Sequence, residues 1–210
     1  DSFTYRAHDG QAYSTTNASV EINVANVNDP PMIMGQESLI TDEDTPVEIV
    51  FTDLTVTDID NTYPNGFILV LGDGENYSHE GTTVMPTDNY YGNLTVPAYV
   101  DDGENINNTS INFDISINVT SVNDAPILET LNDQQMFEDS SINVSLSAGD
   151  VDDDVLTFTA FSTNSAKVIP AINDNQLTIT SIDNFFGDVG IFVNVNDGHG
   201  EIDFSDFTMS

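Results

Sequence analysis

Apolar and polar residues alternate in short stretches along the chain. The alternation is clear in residues 19–24, 111–119, 142–146 and 177–180. A period of two with one apolar face is typical of a half-buried antiparallel strand. Turn-forming Asp-Gly, Asn-Asp and Pro residues separate these stretches, and no window has the periodicity of a long amphipathic helix. The pattern therefore predicts an all-β protein.

The landmarks of this pattern recur at a spacing of about 95 residues. Val27-Asn28-Asp29-Pro30-Pro31 returns as Val122-Asn123-Asp124-Ala125-Pro126, an offset of 95 positions from Asp29 to Asp124. Four further landmarks repeat in the same order: Glu43-Asp44 with Glu138-Asp139, Asp58-Ile59-Asp60 with Asp150-Val151-Asp152, 88–92 with 183–187, and the Asp-Gly turns at 9, 102 and 197. Self-similarity at a fixed period indicates tandem repeats.

The repeat register predicts three segments. Residues 1–31 are expected to be the last strands of a repeat, residues 32–126 a complete repeat, and residues 127–210 a repeat that stops partway through its last strand. Short strands in units of this length favour seven-stranded Greek-key β-sandwiches, arranged end to end. Both ends of the chain are then cuts through domains of a longer parent protein.

Charge narrows the possible partners. The 36 acidic and 2 basic residues give a formal net charge of −34, which repels nucleic acid and anionic membranes. Disorder is disfavoured because aromatic and β-branched residues are frequent. A solvating surface suited to high salt and carboxylates neutralised by bound cations both remain open. No apolar run is long enough to insert this segment into a membrane.

The chain has no cysteine and so cannot form disulfides. For an acidic secreted chain, a bound divalent metal is the expected stabilising cross-link instead. Asp58 and Asp60 stand two apart, so their carboxylates point to the same side of an extended chain, about 6.5–7 Å apart. Calcium prefers carboxylate and carbonyl oxygens, whereas softer metals favour histidine and cysteine. The residues therefore point to Ca²⁺ as the cofactor.

The chain resembles cadherin repeats, and more closely the cadherin-like tandem repeats of large bacterial adhesins. Ala7-His8-Asp9-Gly10 is similar to the Ala-x-Asp-Gly turn of that family, and residues 122–126 are similar to its Asn-Asp-x-Pro junction. The resemblance covers the whole chain. Two differences from the vertebrate pattern, Asn26 and Ser121 where an Asp is usual and one residue fewer before the proline, suggest fewer ions per junction.

The resemblance implies calcium ligands at the junctions between repeats. At the first junction they are Asn28, Asp29, Asp58, Asp60 and Asp102. At the second they are Glu43, Asp88, Asn123, Asp124, Asp150, Asp152 and Asp197, while Glu138 and Asp183 are expected to serve a third. Asp101, Asp153 and Asp154 are expected to be solvated neighbours rather than ligands.

Two rival functions were weighed on the residues. Catalysis is disfavoured, because His8, His79 and His199 belong to no recognised catalytic motif and the acidic pairs repeat along the chain. Carbohydrate binding has better candidates in the tyrosines of the complete repeat, Tyr63, Tyr77, Tyr90, Tyr91 and Tyr99, and residues 72–81 form a polar insertion suited to a ligand of its own. Tyr90-Tyr91 aligns with Phe185-Phe186, which favours a repeated packing position in the core.

The sequence thus predicts a structural or adhesive segment of a long extracellular repeat protein that calcium makes rigid, such as an adhesin stalk or a fibre. The alternative is a spacer or carbohydrate-binding module of a secreted polysaccharide-degrading enzyme. Expected partners are neighbouring repeats of the same chain, further copies in a fibre, and a cell-surface or polysaccharide ligand.

Overall fold

The computed structural model describes residues 1–210 and contains β-strands with one 3-10 helix, η1, at Phe51–Asp53. The prediction of an all-β protein is confirmed. Contacts divide the chain into two compact units. Unit 1 comprises Asp1–Thr41, Thr45–Thr87 and Asn93–Val119, and unit 2 comprises Asp42–Asp44, Asp88–Gly92 and Thr120–Ser210.

Unit 1 begins with a two-stranded hairpin and continues into a β-sandwich. The hairpin strands are β1 (Ser2–Tyr5) and β2 (Ala18–Glu21). The sandwich strands are β3 (Met32–Gln36), β4 (Leu39–Asp42), β5 (Val47–Glu48), β6 (Leu54–Thr57), β7 (Ile68–Leu71), β8 (Tyr77–Glu80), β9 (Thr83–Pro86), β10 (Gly92–Asp101) and β11 (Phe113–Thr120).

The sandwich strands form two layers. One is the sheet β4-β11-β10-β7, and the other combines the pair β3-β6 with the sheet β5-β9-β8. Because β3 and β4 are consecutive pieces of one edge strand, and β5 and β6 flank η1 within another, the order corresponds to seven strands in a Greek-key sandwich.

The core of unit 1 follows from the alternation in β10 and β11. Val96, Val100, Ile115 and Ile117 are fully buried, and the residues between them on β11 are exposed. Burying a side chain of this size stabilises the fold by about 1.5–3 kcal/mol. The alternation places the start of this strand two residues too early, because β11 begins at Phe113 and Ile111 is 79% exposed.

Unit 2 repeats this strand plan after residue 126. Its strands are β12 (Ile127–Leu128), β13 (Ser141–Ser145), β14 (Ala148–Gly149), β15 (Thr157–Ser162), β16 (Val168–Asn173), β17 (Gln176–Ser181), β18 (Val189–Asn196) and β19 (Ile202–Met209). The sheets are β12-β14, β13-β17-β16 and β15-β18-β19, and Gln134 forms a parallel bridge to Met209.

The core of unit 2 lies between β17 and β18. Leu177 and Ile179 on β17 face Ile191 and Val193 on β18, and all four are fully buried. The alternation predicted over residues 142–146 and 177–180 coincides with β13 and β17. The three-segment division at residues 1–31, 32–126 and 127–210 stays a prediction.

The aromatic pairs at the 88–92 and 183–187 landmarks are only partly in the core. Phe185 packs against the core cluster of unit 2, as expected for a repeated packing position. Tyr91 and Phe186, however, are 60% and 85% exposed. The prediction that both members of each pair are buried is therefore wrong, because the second aromatic follows a turn at which the chain faces solvent.

Candidate metal centres at two acidic clusters

The first acidic cluster consists of Asn28, Asp29, Asp58, Asp60 and Asp102, all of unit 1. Asp58 directly follows β6, and its Oδ1 accepts hydrogen bonds from the backbone N–H of Asp60 at 2.7 Å and of Asn61 at 2.8 Å. These bonds form a local turn that an aspartate side chain favours. The second oxygen of Asp58, Oδ2, is buried without a hydrogen-bond partner.

Asn28 and Asp29, which form the junction segment, are joined to the first cluster by two hydrogen bonds. The backbone N–H of Asp29 donates to Asp60 Oδ2 at 2.8 Å, and Asn28 Nδ2 donates to Asp102 Oδ2 at 2.9 Å. The Asn26 side-chain amide and the Asp29 N–H hold the pKa of Asp60 below its ordinary value, since both favour the charged carboxylate. The structure thus brings together all five residues predicted for the first junction.

The second acidic cluster consists of Asn123, Asp124, Asp150, Asp152 and Asp197, all of unit 2, and repeats the same bonds. Asp150 Oδ1 accepts from Asp152 N–H at 2.9 Å, and Asp124 N–H donates to Asp152 Oδ2 at 2.8 Å. Asn123 Nδ2 donates to Asp197 Oδ2 at 2.7 Å. Oδ2 of Asp124 and Oδ2 of Asp150 are buried without a partner.

Asp197 is the most deeply buried carboxylate of the second cluster, at 2% exposure. Its Oδ1 accepts hydrogen bonds from the backbone N–H groups of His199, Gly200 and Glu201. The Asn123 amide and these N–H groups hold the pKa of Asp197 below its ordinary value. Asp197 therefore stays ionised despite its burial.

Glu43 and Asp44 belong to the same compact unit as the second cluster. Glu43 is 5% exposed, and its Oε1 accepts from the backbone N–H of Val122 at 2.6 Å. Burial, followed by the charges of Asp152, Asp44 and Asp150, raises the pKa of Asp124. Asp44 thus lies close enough to act on Asp124, although the sequence analysis did not predict it as a site residue.

Asp154 is also part of this acidic surface. One carboxylate oxygen each from Asp150, Asp152 and Asp154 lie within 4.8 Å of one another. Asp154 Oδ2 lies 2.8 Å from His199 Nδ1, and this contact raises the pKa of the imidazole. Asp154 is therefore paired with His199 rather than freely solvated, and its exclusion from the ligands stays a prediction. The spacing Asp150-x-Asp152-x-Asp154 is the sequence signal for this group of three.

The remaining predicted ligands are less well defined by the structure. Asp88 is exposed, next to Asn89, whose backbone N–H donates to Asp44 Oδ1 at 2.9 Å. Glu138 and Asp183 are exposed as well. The corresponding bond in the next repeat runs from Asn184 N–H to Asp139 Oδ1 at 2.6 Å. The roles of Asp88, Glu138 and Asp183 stay predictions.

The second cluster has ligand spacing that fits a hard divalent cation. Two oxygens bound to one calcium ion at about 2.4 Å are at most about 4.8 Å apart, and the carboxylate oxygens of Asp150, Asp152 and Asp154 meet this limit. The first cluster contributes one buried, unpaired oxygen, Asp58 Oδ2. The buried, unpaired Oδ2 atoms of Asp58, Asp124 and Asp150 are acceptors that no protein donor satisfies, and burying an unpaired polar atom is costly. Aspartate, asparagine and glutamate oxygens are the donors that calcium prefers.

The two tyrosines considered for carbohydrate binding are held by packing. Tyr77 is 7% exposed, and its hydroxyl donates to the Gly72 carbonyl at 2.6 Å. Tyr63 is half-buried; its hydroxyl donates to the Phe51 carbonyl at 2.6 Å, and its ring contacts Phe51 and Phe67 edge-on. The insertion at residues 72–81 is thus anchored by Tyr77, and Tyr63 and Tyr77 are held by packing, whereas Tyr91 is 60% exposed. The carbohydrate alternative stays a prediction.

Comparison with known proteins supports the fold. Residues 123–210, less than half of the chain, match a family model described as a bacterial Ig domain. No curated protein matches the chain. The single helix, of three residues, is far too short to span a lipid bilayer.

Solved cadherin structures superpose on the chain at low sequence identity. Human protocadherin-24 EC1-2 has a TM-score of 0.57 at 15% identity, covering 87% of this chain and 98% of that one. Mouse protocadherin-24 EC1-3 has 0.56 at 16%, covering 100% and 78%. Protocadherin gamma B2 extracellular cadherin domains 1-5 have 0.54 at 16%, covering 99% of this chain, which spans only 45% of theirs. The fold is that of a cadherin-like, immunoglobulin-like β-sandwich.

Proposed function

We propose that this chain is a structural or adhesive segment of a longer extracellular repeat protein, in which calcium at the acidic clusters makes the junctions between repeats rigid. The first cluster would hold the ion through Asp58, Asp60, Asp102, Asn28 and Asp29. The second would use Asp124, Asp150, Asp152, Asp197 and Asn123, with Glu43 and Asp88 supplied from the preceding repeat.

The observation that carries this proposal is the set of buried carboxylate oxygens without partners. Asp124 Oδ2 and Asp150 Oδ2 are buried beside the charges of Asp152 and Asp44. Removing anionic oxygens from water without a counter-charge is costly. Arg6 and Lys167 are the only arginine and lysine of the chain, and the nearby His199 contacts Asp154 rather than these oxygens.

In this proposal the protein positions the ligands and a bound Ca²⁺ supplies the positive charge. The backbone N–H of Asp124 holds the Asp152 carboxylate, and the N–H of Asp152 holds that of Asp150. The Asn123 amide orients Asp197 from the junction segment. Neutralising these groups stiffens the junction, because the carboxylates no longer repel one another across it.

An extracellular location is consistent with this mechanism. Calcium sites of extracellular modules bind at about 10⁻⁴–10⁻³ M, a range that only the outside of a cell supplies. Neighbouring repeats of the same chain are the first partners in this proposal. Self-association into fibres, or binding to a cell-surface polysaccharide, would be a function of the parent protein.

Small-angle X-ray scattering with calcium and with chelator tests the stiffening. Wild type is expected to show a longer, narrower distance distribution in calcium than in chelator. The double variant Asp124→Asn with Asp152→Asn should lose this response. A matched control, Asp174→Asn with Asp188→Asn, removes two charges from exposed positions of the same unit and should respond as wild type. An unchanged maximum dimension of wild type in the two conditions would sink the proposal.

A further inference from the structure

The two clusters differ at the fifth residue of their aspartate loops. The first loop runs Asp58-Ile59-Asp60-Asn61-Thr62, and the second runs Asp150-Val151-Asp152-Asp153-Asp154. Thr62 therefore occupies the position at which the second loop has Asp154. We infer that Asp154 supplies an additional carboxylate ligand to the second cluster and makes it the tighter of two unequal calcium sites. This inference rests on the proposed function.

The geometry of the second loop supports a ligand role for Asp154. Its carboxylate is within 4.8 Å of ligand oxygens of both Asp150 and Asp152, so the three can meet at one ion. The side chain is only 17% exposed, and His199 Nδ1 holds it at 2.8 Å. His199 is itself positioned by its backbone bond to Asp197, at 2.7 Å. Asp154 is thus fixed to the cluster rather than free in solvent.

The junction residues differ in the same direction. In the first cluster, Asn26 Nδ2 donates to Asp60 Oδ1 at 2.9 Å, so both oxygens of Asp60 accept N–H bonds. The corresponding contact in the second cluster, from Ser121 Oγ to Asp152 Oδ1, is 3.5 Å long. Asp152 therefore keeps one oxygen with little competition from protein donors. A cation therefore meets one more carboxylate at the second cluster and less competition at Asp152, while His199 is the competing group at Asp154.

The number of charged ligands is one of the variables that tune calcium affinity. We therefore expect the second site to be filled at a lower calcium concentration than the first. Loading is then stepwise, and the junction whose loop carries the third aspartate, Asp154, stiffens first as calcium rises. In the parent protein, the residue at the position equivalent to Asp154 in each repeat would then set the calcium concentration at which that junction becomes rigid.

Calcium titration followed by NMR tests this ordering, with the backbone amides of Asp60 and Asp152 as reporters of the two sites. The chain is first stripped with chelator. In wild type, the Asp152 amide should shift at a lower calcium concentration than the Asp60 amide. Asp154→Asn should raise the Asp152 midpoint by about 10-fold or more and leave the Asp60 midpoint unchanged.

The neighbouring residue provides a matched control. Asp153 is exposed and has a left-handed backbone, with φ of 59°, which asparagine also adopts readily. Asp153→Asn removes the same charge one position away and should move the Asp152 midpoint by less than about 2-fold, as an exposed, screened charge. Equal shifts from Asp153→Asn and Asp154→Asn would overturn the ligand role of Asp154.

The remaining outcomes separate this inference from the proposed function. If both wild-type amides respond to calcium but Asp60 responds first or together with Asp152, the inequality of the sites is overturned and calcium binding stands. If neither amide responds, the proposed function fails, and this inference fails with it. The order of the wild-type midpoints needs no variant, so it decides the matter even if Asp154→Asn folds poorly.

Discussion

The first and second acidic clusters have the same hydrogen-bonded frame but a different balance of charge. The Asn amide meets the buried Asp at 2.9 Å in one and 2.7 Å in the other, and the junction N–H meets the loop Asp at 2.8 Å in both. Amide donors lower the pKa of Asp60 in the first, whereas burial, together with crowding by like charges, raises the pKa of Asp124 in the second. Backbone and amide donors thus fix the positions of the carboxylates. The neighbouring acidic side chains determine how much negative charge a bound cation would neutralise.

The largest effect is expected from removing the buried aspartate of each cluster. Asp197→Ala leaves the Asn123 amide and three backbone N–H groups without their acceptor, so it should cost about 3–5 kcal/mol of unfolding free energy. Asp102→Ala frees fewer donors and should cost roughly half as much. Urea unfolding in chelator measures both, and equal losses would contradict the difference in donor number.

Calcium itself is expected to stabilise the folded chain. At a concentration 10–100 times the dissociation constant, binding to the native state adds about 1.4–2.7 kcal/mol per site. Thermal unfolding in about 10 mM calcium, compared with chelator, should show this rise given the affinity expected for extracellular modules. Magnesium at equal ionic strength is the control, and an equal rise in magnesium would show charge screening instead of a calcium site.

Exchanging the junction residues Asn26 and Ser121 should make the calcium affinities of the two clusters more similar. Ser121→Asn introduces an amide like that of Asn26, which would donate to Asp152 Oδ1 and weaken calcium binding there by about 3-fold. Asn26→Ser should strengthen binding at Asp60 by a similar factor. Isothermal titration calorimetry of the pair decides this, and changes of the same sign in both variants would refute it.

The smallest effects concern the acid range of the calcium-free chain. Asn123→Ala should raise the pKa of Asp197, and Asn26→Ala that of Asp60, because each removes the largest cause of the lowered value. A carboxylate with a lowered folded pKa stabilises the native state above its unfolded pKa, and this stability is lost as the pH falls through the folded pKa. Each variant should therefore show less of this acid-dependent loss. Carboxyl ¹³C titration by NMR gives the direction, and an unchanged pKa would remove the assigned role of the amide.

The repeated landmarks predicted the frame of both clusters well. Three bonds of the first cluster have counterparts 92–95 residues later: the Asp58 turn bond to Asp60 N–H, the junction N–H bond to Asp60, and the Asn28 bond to Asp102. The turn recurs because it depends on a few adjacent residues. Asp44 and Asp154 were not predicted as site residues. Asp44 is distant in sequence from Asp124, and the side chain of Asp154 is placed by His199, which lies 45 residues away.

Alternation determined the fold class and identified core residues such as Ile115, Ile117, Leu177 and Ile179, since a period of two allows a strand to bury only one face. The recurring landmarks determined the repeat length. The tertiary structure decided where each strand begins, leaving Ile111 exposed just before β11, and which tyrosines are packed. It also decided which carboxylate oxygens are buried without partners. Burial and charge crowding depend on distances between segments far apart in the chain, and those distances exist only once the sheets have packed.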